Sequence, residues 1–364
     1  MTRPVATLEQ LTLFEVPHSL AIRVRQEQWP FAGLHVKREQ IVGLVLEGGV
    51  IEDTDFEVGM LDASRWSDVI VRGCTFACER IQGLETSRVR FENCRFDGGR
   101  FTGGSLRRTV FAGCTFWAVQ FDGTLLDDVR VEGGSLQNVT VESARLRAVR
   151  ISTAMVAVFS GRELDVDELI VTGGEVERAT LSGGGWRGVS LDAAALSGVE
   201  VTQVELSGVR ATRCSVSNCS QSEGTLNDLG VEAPSRFFGV TFSGVTIMGL
   251  RLASVAEGSF LAVLRSVMRG FTVRDSMLID SEFRASRIEA PARVDRSVLD
   301  GLDLRECELQ MLAMNGGRLD GPVRVDGARI RRWTLDGTTL GESLTIRGPV
   351  AELSESDPRL SLRK

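Results

Sequence analysis

Large apolar residues recur at every fifth position of this chain. From Ile41 to Val231 that series has 39 positions, and only Thr86, Gly161 and Gln221 are not apolar, although the composition as a whole is 43% hydrophobic. A second rhythm runs at twenty: Phe76, Phe96 and Phe116 recur at that spacing, and so do Cys74, Cys94 and Cys114, each two residues ahead of its Phe. Neither a helix, with period 3.6, nor a plain strand, with period 2, gives a step of five. A short extended segment followed by a turn does. Four such steps per twenty residues predict a coil with four sides, whose turns stack so that equivalent positions lie one above another and pair as parallel strands.

Within each step the central large residue and the residue two before it point inward. The second site is small or β-branched, as at Val89, Cys94, Gly99, Thr109 and Val119. The other three positions are polar or Gly, as solvent-facing turns require. By this register Cys74 points in and Cys78 points out.

Beyond Val231 the series shifts by one residue several times. Phe237 to Leu252, Val263 to Ile288, Val294 to Leu319 and Val325 to Leu340 each keep the step of five. The expected organisation is an N-terminal cap over residues 1–35 and a repeat coil over 36–346. Single-residue insertions fall near 232–236, 253–262, 289–293 and 320–324. A polar C-terminal tail takes residues 347–364. Residues 253–262 are the least regular, and the sequence leaves open whether they stay in the coil or leave it as a loop. A solenoid needs its first and last turns covered, which is the role expected of the two ends.

These residues resemble the pentapeptide-repeat family. Cys94-Arg95-Phe96-Asp97-Gly98 and Cys114-Thr115-Phe116-Trp117-Ala118 match its small and central sites and depart from it at the middle polar site, where Arg or Thr stands for the usual Asp or Asn. The resemblance runs from about Ile41 to Leu340. It implies an all-β, right-handed, quadrilateral parallel β-helix. Some members of that family protect DNA gyrase from inhibitors by imitating duplex DNA with an acidic rod, and others are bacterial effectors.

Motifs that would carry chemistry fail on context. Gly183-Gly184-Gly185-Trp186-Arg187-Gly188 fits the dinucleotide pattern, but Trp186 is itself a central repeat residue, and no helix is expected after it. The two histidines, His18 and His35, lie within the expected cap without a Cys or carboxylate at metal-ligand spacing. Asp127-Asp128 and Asp165-Asp167-Glu168 are candidate acid–base pairs for a carbohydrate-active β-helix enzyme. The strict five-residue step does not leave the long, irregular turns such enzymes use. No enzyme activity, cofactor or metal is therefore expected.

Charge separates the remaining readings. The net charge of −7 opposes direct nucleic-acid binding. Between Ile41 and Val231 there are 27 acidic and 18 basic residues. Acids often follow the central site (Glu92, Asp97, Asp122) and Arg often precedes it (Arg90, Arg95, Arg100), which predicts a mesh of weak ion pairs, not an anionic face. Outward apolar residues mark a contact surface instead: Trp117, and two turns on, Met155, Ala157 and Val158. The chain reads as a non-enzymatic scaffold for an unidentified protein partner or a second copy of itself. A gyrase-binding DNA mimic is the alternative, and a carbohydrate-active enzyme is a weaker one. The N-terminus lacks a basic stretch followed by an apolar run, and no run of eighteen apolar residues occurs. A cytoplasmic location with reduced cysteines is expected, and no membrane association.

Overall fold

The computed structural model describes residues 22–25, 31–33, 35–232, 235–289, 292–347 and 352–356. The chain divides into two compact units, Met1–Ala179 and Thr180–Lys364. Among the described residues there is no helix, and every strand pairing is parallel. Most of the expected cap lies outside the described residues. So does most of the expected tail, of which only the strand Glu352–Ser356, paired with Arg329–Asp336, is described.

In the first unit each residue pairs with the one twenty further on. Phe56, Phe76, Phe96, Phe116, Leu136 and Val156 form one such column. Twenty residues make one turn, and the short strands Arg90–Glu92, Arg95–Asp97, Arg100–Thr102 and Ser105–Arg107 are its four sides. The backbone explains why the chain accepts a five-residue step. Two residues after most centres, the corner residue takes a left-handed conformation, as at Asp68, Arg88, Asn93 and Asp128. The corner N–H then donates to the next turn (Asn93 to the Ala112 carbonyl, 2.8 Å), and the strand entering the next side donates back (Arg95 to Cys74, 2.9 Å). Corners and sides alike are thus satisfied by the turns above and below.

The core of the first unit is aromatic. Phe56, Phe76, Phe96 and Phe116 stack with centroids 4.9, 4.9 and 4.7 Å apart and nearly parallel planes. A neighbouring column, Phe91 on Phe111, meets them edge to face at 5.1–6.0 Å. The ring spacing is that of the strands themselves. The central Thr86 stays buried because its hydroxyl bonds that of Thr109 across the interior at 2.7 Å.

Cys78 departs from the expected register, for it is buried instead of facing out. The strand Thr75–Gln82 passes through this corner without a left-handed residue, and Cys78 turns inward above Val58. Glu79 occupies the usual small inward site and is exposed. The corner one turn below has the same form, with Val58 buried and not left-handed beside Gly59, and this form keeps the Glu79 carboxylate out of the interior, where it would lack a partner.

In the second unit Ser takes several of the inward small sites, at Ser235, Ser266, Ser276, Ser281, Ser286 and Ser297. Such a Ser donates to the carbonyl two residues before it at four of these sites, as Ser276 does to Arg274 (2.7 Å) and Ser297 to Asp295 (2.8 Å). It also accepts from the N–H one turn below, Val255 to Ser276 at 3.0 Å and Ser276 to Ser297 at 3.1 Å. The pairing offset is twenty for Leu196–Val216 and twenty-one for Val216–Phe237 and Phe271–Ala292. Bulges change it between Ser235 and Arg236 and between Asp300 and Leu302. Residues 253–262 are not a loop. Val255–Leu264 is a strand paired on both sides. Its central position is Gly258, where a Cβ would stand 2.5 Å from the Phe237 ring, so Phe237 fills the place that a large residue takes elsewhere.

Asp320 staples one corner of this unit. It is 7% exposed, accepts from the backbone N–H groups of Gly321 (2.9 Å) and Ser343 (3.2 Å), and bonds the Ser343 hydroxyl and the Arg318 guanidinium. A Cβ on Gly341 would overlap the carboxyl group.

Two predictions follow from this packing. Phe96→Ala opens a cavity between Phe76 and Phe116 and costs about 3–5 kcal/mol, whereas Asp97→Asn changes stability by about 0.5 kcal/mol or less. Urea unfolding of both checks this, and an unchanged Phe96→Ala protein contradicts the stacked core. The second prediction concerns acid. The Ser343 hydroxyl, the Gly321 N–H and Arg318 hold Asp320 down to about 2 from the ordinary 3.8. A depressed carboxyl contributes stability above its unfolded pKa and loses it as pH falls through the folded one. The stability difference between the protein and Asp320→Asn should therefore be constant near neutrality and shrink between about pH 4 and pH 2. A thermal unfolding series against pH reads it.

Candidate functional site

The outer surface of most sides is a lattice of ion pairs. Because turns stack in register, an outward Arg sits on the residue one turn below and under the residue one turn above. Arg72 lies between Glu52 (2.7 Å) and Glu92 (2.9 Å). Arg65 meets Glu85, Arg145 meets Asp165 and Arg88 meets Asp68 at 2.6–3.1 Å. Pairs of this kind hold the carboxyls of Asp68 and Glu92 below the ordinary range, through hydrogen bonds from Arg88 and from Arg90 and Arg72 respectively.

One face of the first unit breaks this rule. The strand Thr115–Trp117 and the first residues of Ser135–Glu142 and Met155–Thr172 stack there. Thr115, Ser135 and Met155 form one outward column. Trp117, Gln137 and Ala157 form the next, and Ala118, Asn138 and Val158 form the corner. None of these nine residues is charged. The other sides of the same turns carry Asp122, Asp127, Arg130, Glu142, Arg145 and Arg150. Trp117 is 43% exposed, Met155 44% and Val158 39%, and Ala157 is half-buried. The polar members Thr115, Ser135, Gln137 and Asn138 were not singled out from the sequence. Their signal is the absence of charge over 111–120 and 151–160, which shows only when the columns are laid side by side.

Val158 has a second peculiarity. Its φ is +57°, the left-handed corner conformation, in a column with Gly98, Ala118 and Asn138. A β-branched residue there is a steric outlier.

The other candidates are not assembled into a site. Asp128 lies 3.3 Å from Arg150 and 3.6 Å from Arg130, Asp165 lies 3.1 Å from Arg145, and Glu168 lies 3.7 Å from Arg150, all on an outer surface. Gly183, Gly184 and Gly188 are left-handed corners around the inward Trp186, and no helix follows them. His35 is exposed beside Glu57 at 3.3 Å, and His18 lies outside the described residues. Among the described residues no three His, Cys, Asp or Glu side chains converge for a metal, and no helix is long and apolar enough to cross a membrane.

The sequence model of pentapeptide repeats matches residues 90–128 in eight copies. No curated protein sequence matches the chain. Among solved structures it is similar to HetL, a pentapeptide repeat protein involved in heterocyst differentiation regulation from the cyanobacterium Nostoc sp. strain PCC 7120. The identity is 14% over 59% of this chain and 86% of that one, with a TM-score of 0.36. It is also similar to trypsin-treated QnrB1, a plasmid-mediated fluoroquinolone resistance protein (15% identity, 50% of this chain and 82% of that one, TM-score 0.23). A third likeness is to the A-module of the mannuronan C-5 epimerase AlgE4 of Azotobacter vinelandii (10% identity, 84% and 91% covered, TM-score 0.25). At these identities and scores none of the three assigns a role to this chain. Residues 90–128 are thus pentapeptide repeats, and the same five-residue step and twenty-residue turn run through the rest of the first unit.

Proposed function

We propose that the protein is a non-enzymatic β-helical scaffold that binds a protein partner through the uncharged face around Trp117, Met155, Ala157 and Val158. The supporting observation is the interruption of the ion-pair lattice over three consecutive turns by exposed Trp, Met and Val. Trp and Met are enriched where interfaces are fully desolvated, and charge is depleted there. Val158 supports the reading independently, since a residue that is both exposed and strained is stabilised by neither solvent nor backbone. Three stacked turns span about 14 Å. The patch is thus the centre of a contact, and a partner covering the usual ~800 Å² per side also meets the ion-paired turns that flank it. The seven thiols, all unbridged, fit a reducing, cytoplasmic setting.

The alternative of an anionic DNA mimic bound by gyrase needs a run of uncompensated acids. Here Arg72, Arg88, Arg90, Arg95 and Arg100 each lie within 3 Å of a carboxylate, so their fields cancel beyond about one Debye length, ~8 Å at physiological salt.

Two measurements test the proposal. Affinity capture from the source cell, quantified for the protein against Trp117→Glu, should lose the same partner that Met155→Glu loses, while Asp127→Asn retains it. Retention by both face variants overturns the assignment. In gyrase supercoiling assays with a quinolone the protein should give no protection at low or high salt; protection at low salt alone supports the mimic. A further prediction concerns Val158. Val158→Asn removes the left-handed strain and should raise stability by about 1 kcal/mol, while weakening partner capture. A loss of stability in chemical unfolding means that Val158 is held by packing and not strained for binding.

A further inference from the structure

Cys74, Cys94 and Cys114 stand one above another. Thr75 pairs with Arg95 and Arg95 with Thr115, and the N–H groups of Arg95 and Thr115 donate to the carbonyls of Cys74 and Cys94, each at 2.9 Å. Successive Cα atoms are then about 4.8 Å apart, inside the ~4.4–6.8 Å window that a disulfide accepts. All three are free thiols with exposures of 1, 2 and 0%. Their sulfurs lean toward the turn below. Cys94 Sγ is 3.3 Å from the Val71 carbonyl and Cys114 Sγ 3.5 Å from that of Phe91. Each sulfur therefore approaches the level of the thiol beneath it. Cys78 and Cys214 have no such neighbour, for Cys78 stacks on Val58 and Cys214 lies beneath Ser235.

The wall over this column is thin. The residues just before the three cysteines, Gly73, Asn93 and Gly113, are exposed left-handed corners. A small neutral oxidant has one residue's thickness to cross. We propose that the column is an oxidative modification site, at which a peroxide joins Cys94 to Cys114 or to Cys74 as a disulfide. The Cys114 thiolate attacks one peroxide oxygen. The O–O bond breaks, and the departing hydroxide takes up a proton to leave as water, which makes Cys114 a sulfenic acid. The Cys94 sulfur then attacks the Cys114 sulfur. The S–S bond forms as the S–O bond breaks, and a second water carries off the Cys94 proton. Two thiols lose two electrons, and the peroxide becomes two waters. Cys74 lies on the other side of Cys94, in line to exchange the bridge down one turn.

The order of attack follows from the neighbours. The hydrogen bond from Cys94 lowers the pKa of Cys114, and the positive charge of Arg90 adds to this. The same hydrogen bond pushes Cys94 up to about 12. Cys94 thus holds its proton and donates while Cys114 reacts. Cys94 is common to both bridges, and Cys307 belongs to neither.

The test is exposure of the full-length protein to hydrogen peroxide, followed by alkylation, intact mass measurement and peptide mapping. The expected result is loss of the mass of two hydrogen atoms, reversed by dithiothreitol, with the cross-linked peptide containing Cys94. Cys307→Ser should behave like the parent protein, and Cys94→Ser should form no bridge. Ser occupies the same inward site at Ser276 and Ser297, bonded to the carbonyl two residues back, so Cys94→Ser has a place in the fold, which its thermal unfolding checks. A parent protein that keeps its mass, gains oxygen without bridging, or bridges elsewhere overturns the proposal, and so does a Cys94→Ser protein that still loses the two hydrogens. Should Cys94→Ser fail to fold, the location of the bridge in the parent protein decides the question alone.

Discussion

Everything in this molecule depends on parallel, in-register stacking of successive turns. The backbone N–H and carbonyl groups of one turn are satisfied by its neighbours, at corners as well as on sides. That bonding places each side chain directly on the residue twenty or twenty-one positions earlier. Side chains then meet their own kind in columns about 4.8 Å apart, and each column must be a chemistry that tolerates stacking. Aromatic rings tolerate it face to face, as Phe56 to Phe116 do. Serines tolerate it by donating to their own strand and accepting from the turn below. Charges often alternate in sign, as in Glu52–Arg72–Glu92, which avoids the cost of like charges directly opposite on adjacent strands, although Asp122 does stand on Glu142 and Arg130 on Arg150.

The last of these bears on function. A continuous acidic face on a coil of this kind stacks carboxylate on carboxylate and loses stability at every turn. The interleaved Arg residues reduce that cost. The same rule makes an uncharged interruption conspicuous. At Trp117, Gln137 and Ala157 the column needs no alternation, and what it presents to solvent is apolar and amide surface that a protein partner can desolvate at low cost.

The two units reach the same fold with different interiors. In Met1–Ala179 the aromatic columns are wide, and their small inward neighbours are Cys, Thr, Ala and Gly. In Thr180–Lys364 the centres are largely aliphatic, and hydrogen-bonded Ser joins Val, Ala, Cys and Leu at the inward neighbouring site. Insertions accumulate only in the second unit, where bulges at Ser235–Arg236 and Asp300–Leu302 absorb them without ending the pairing. A bulge shifts one strand and leaves the next turn to restore the register, so the coil carries on with offsets of twenty or twenty-one.

The period of five nested in twenty determined the architecture from the amino-acid sequence alone, because the spacing of Phe76, Phe96 and Phe116 is itself the turn length. The outward placement of Trp117 likewise follows from its position after Phe116. The choice between corner forms belongs to the tertiary structure. Cys78 is buried and Glu79 exposed in a corner that shares the form of the Val58 corner beneath it, a relation that only the stacked turns make. Gly258 is legible as a lapse in the series, but its reason is the Phe237 ring one turn below. Residues 253–262 look irregular and yet remain a strand, because partners on both sides hold them. The uncharged face is split in sequence among three segments twenty residues apart, and stacking alone brings Thr115, Gln137 and Val158 onto one surface.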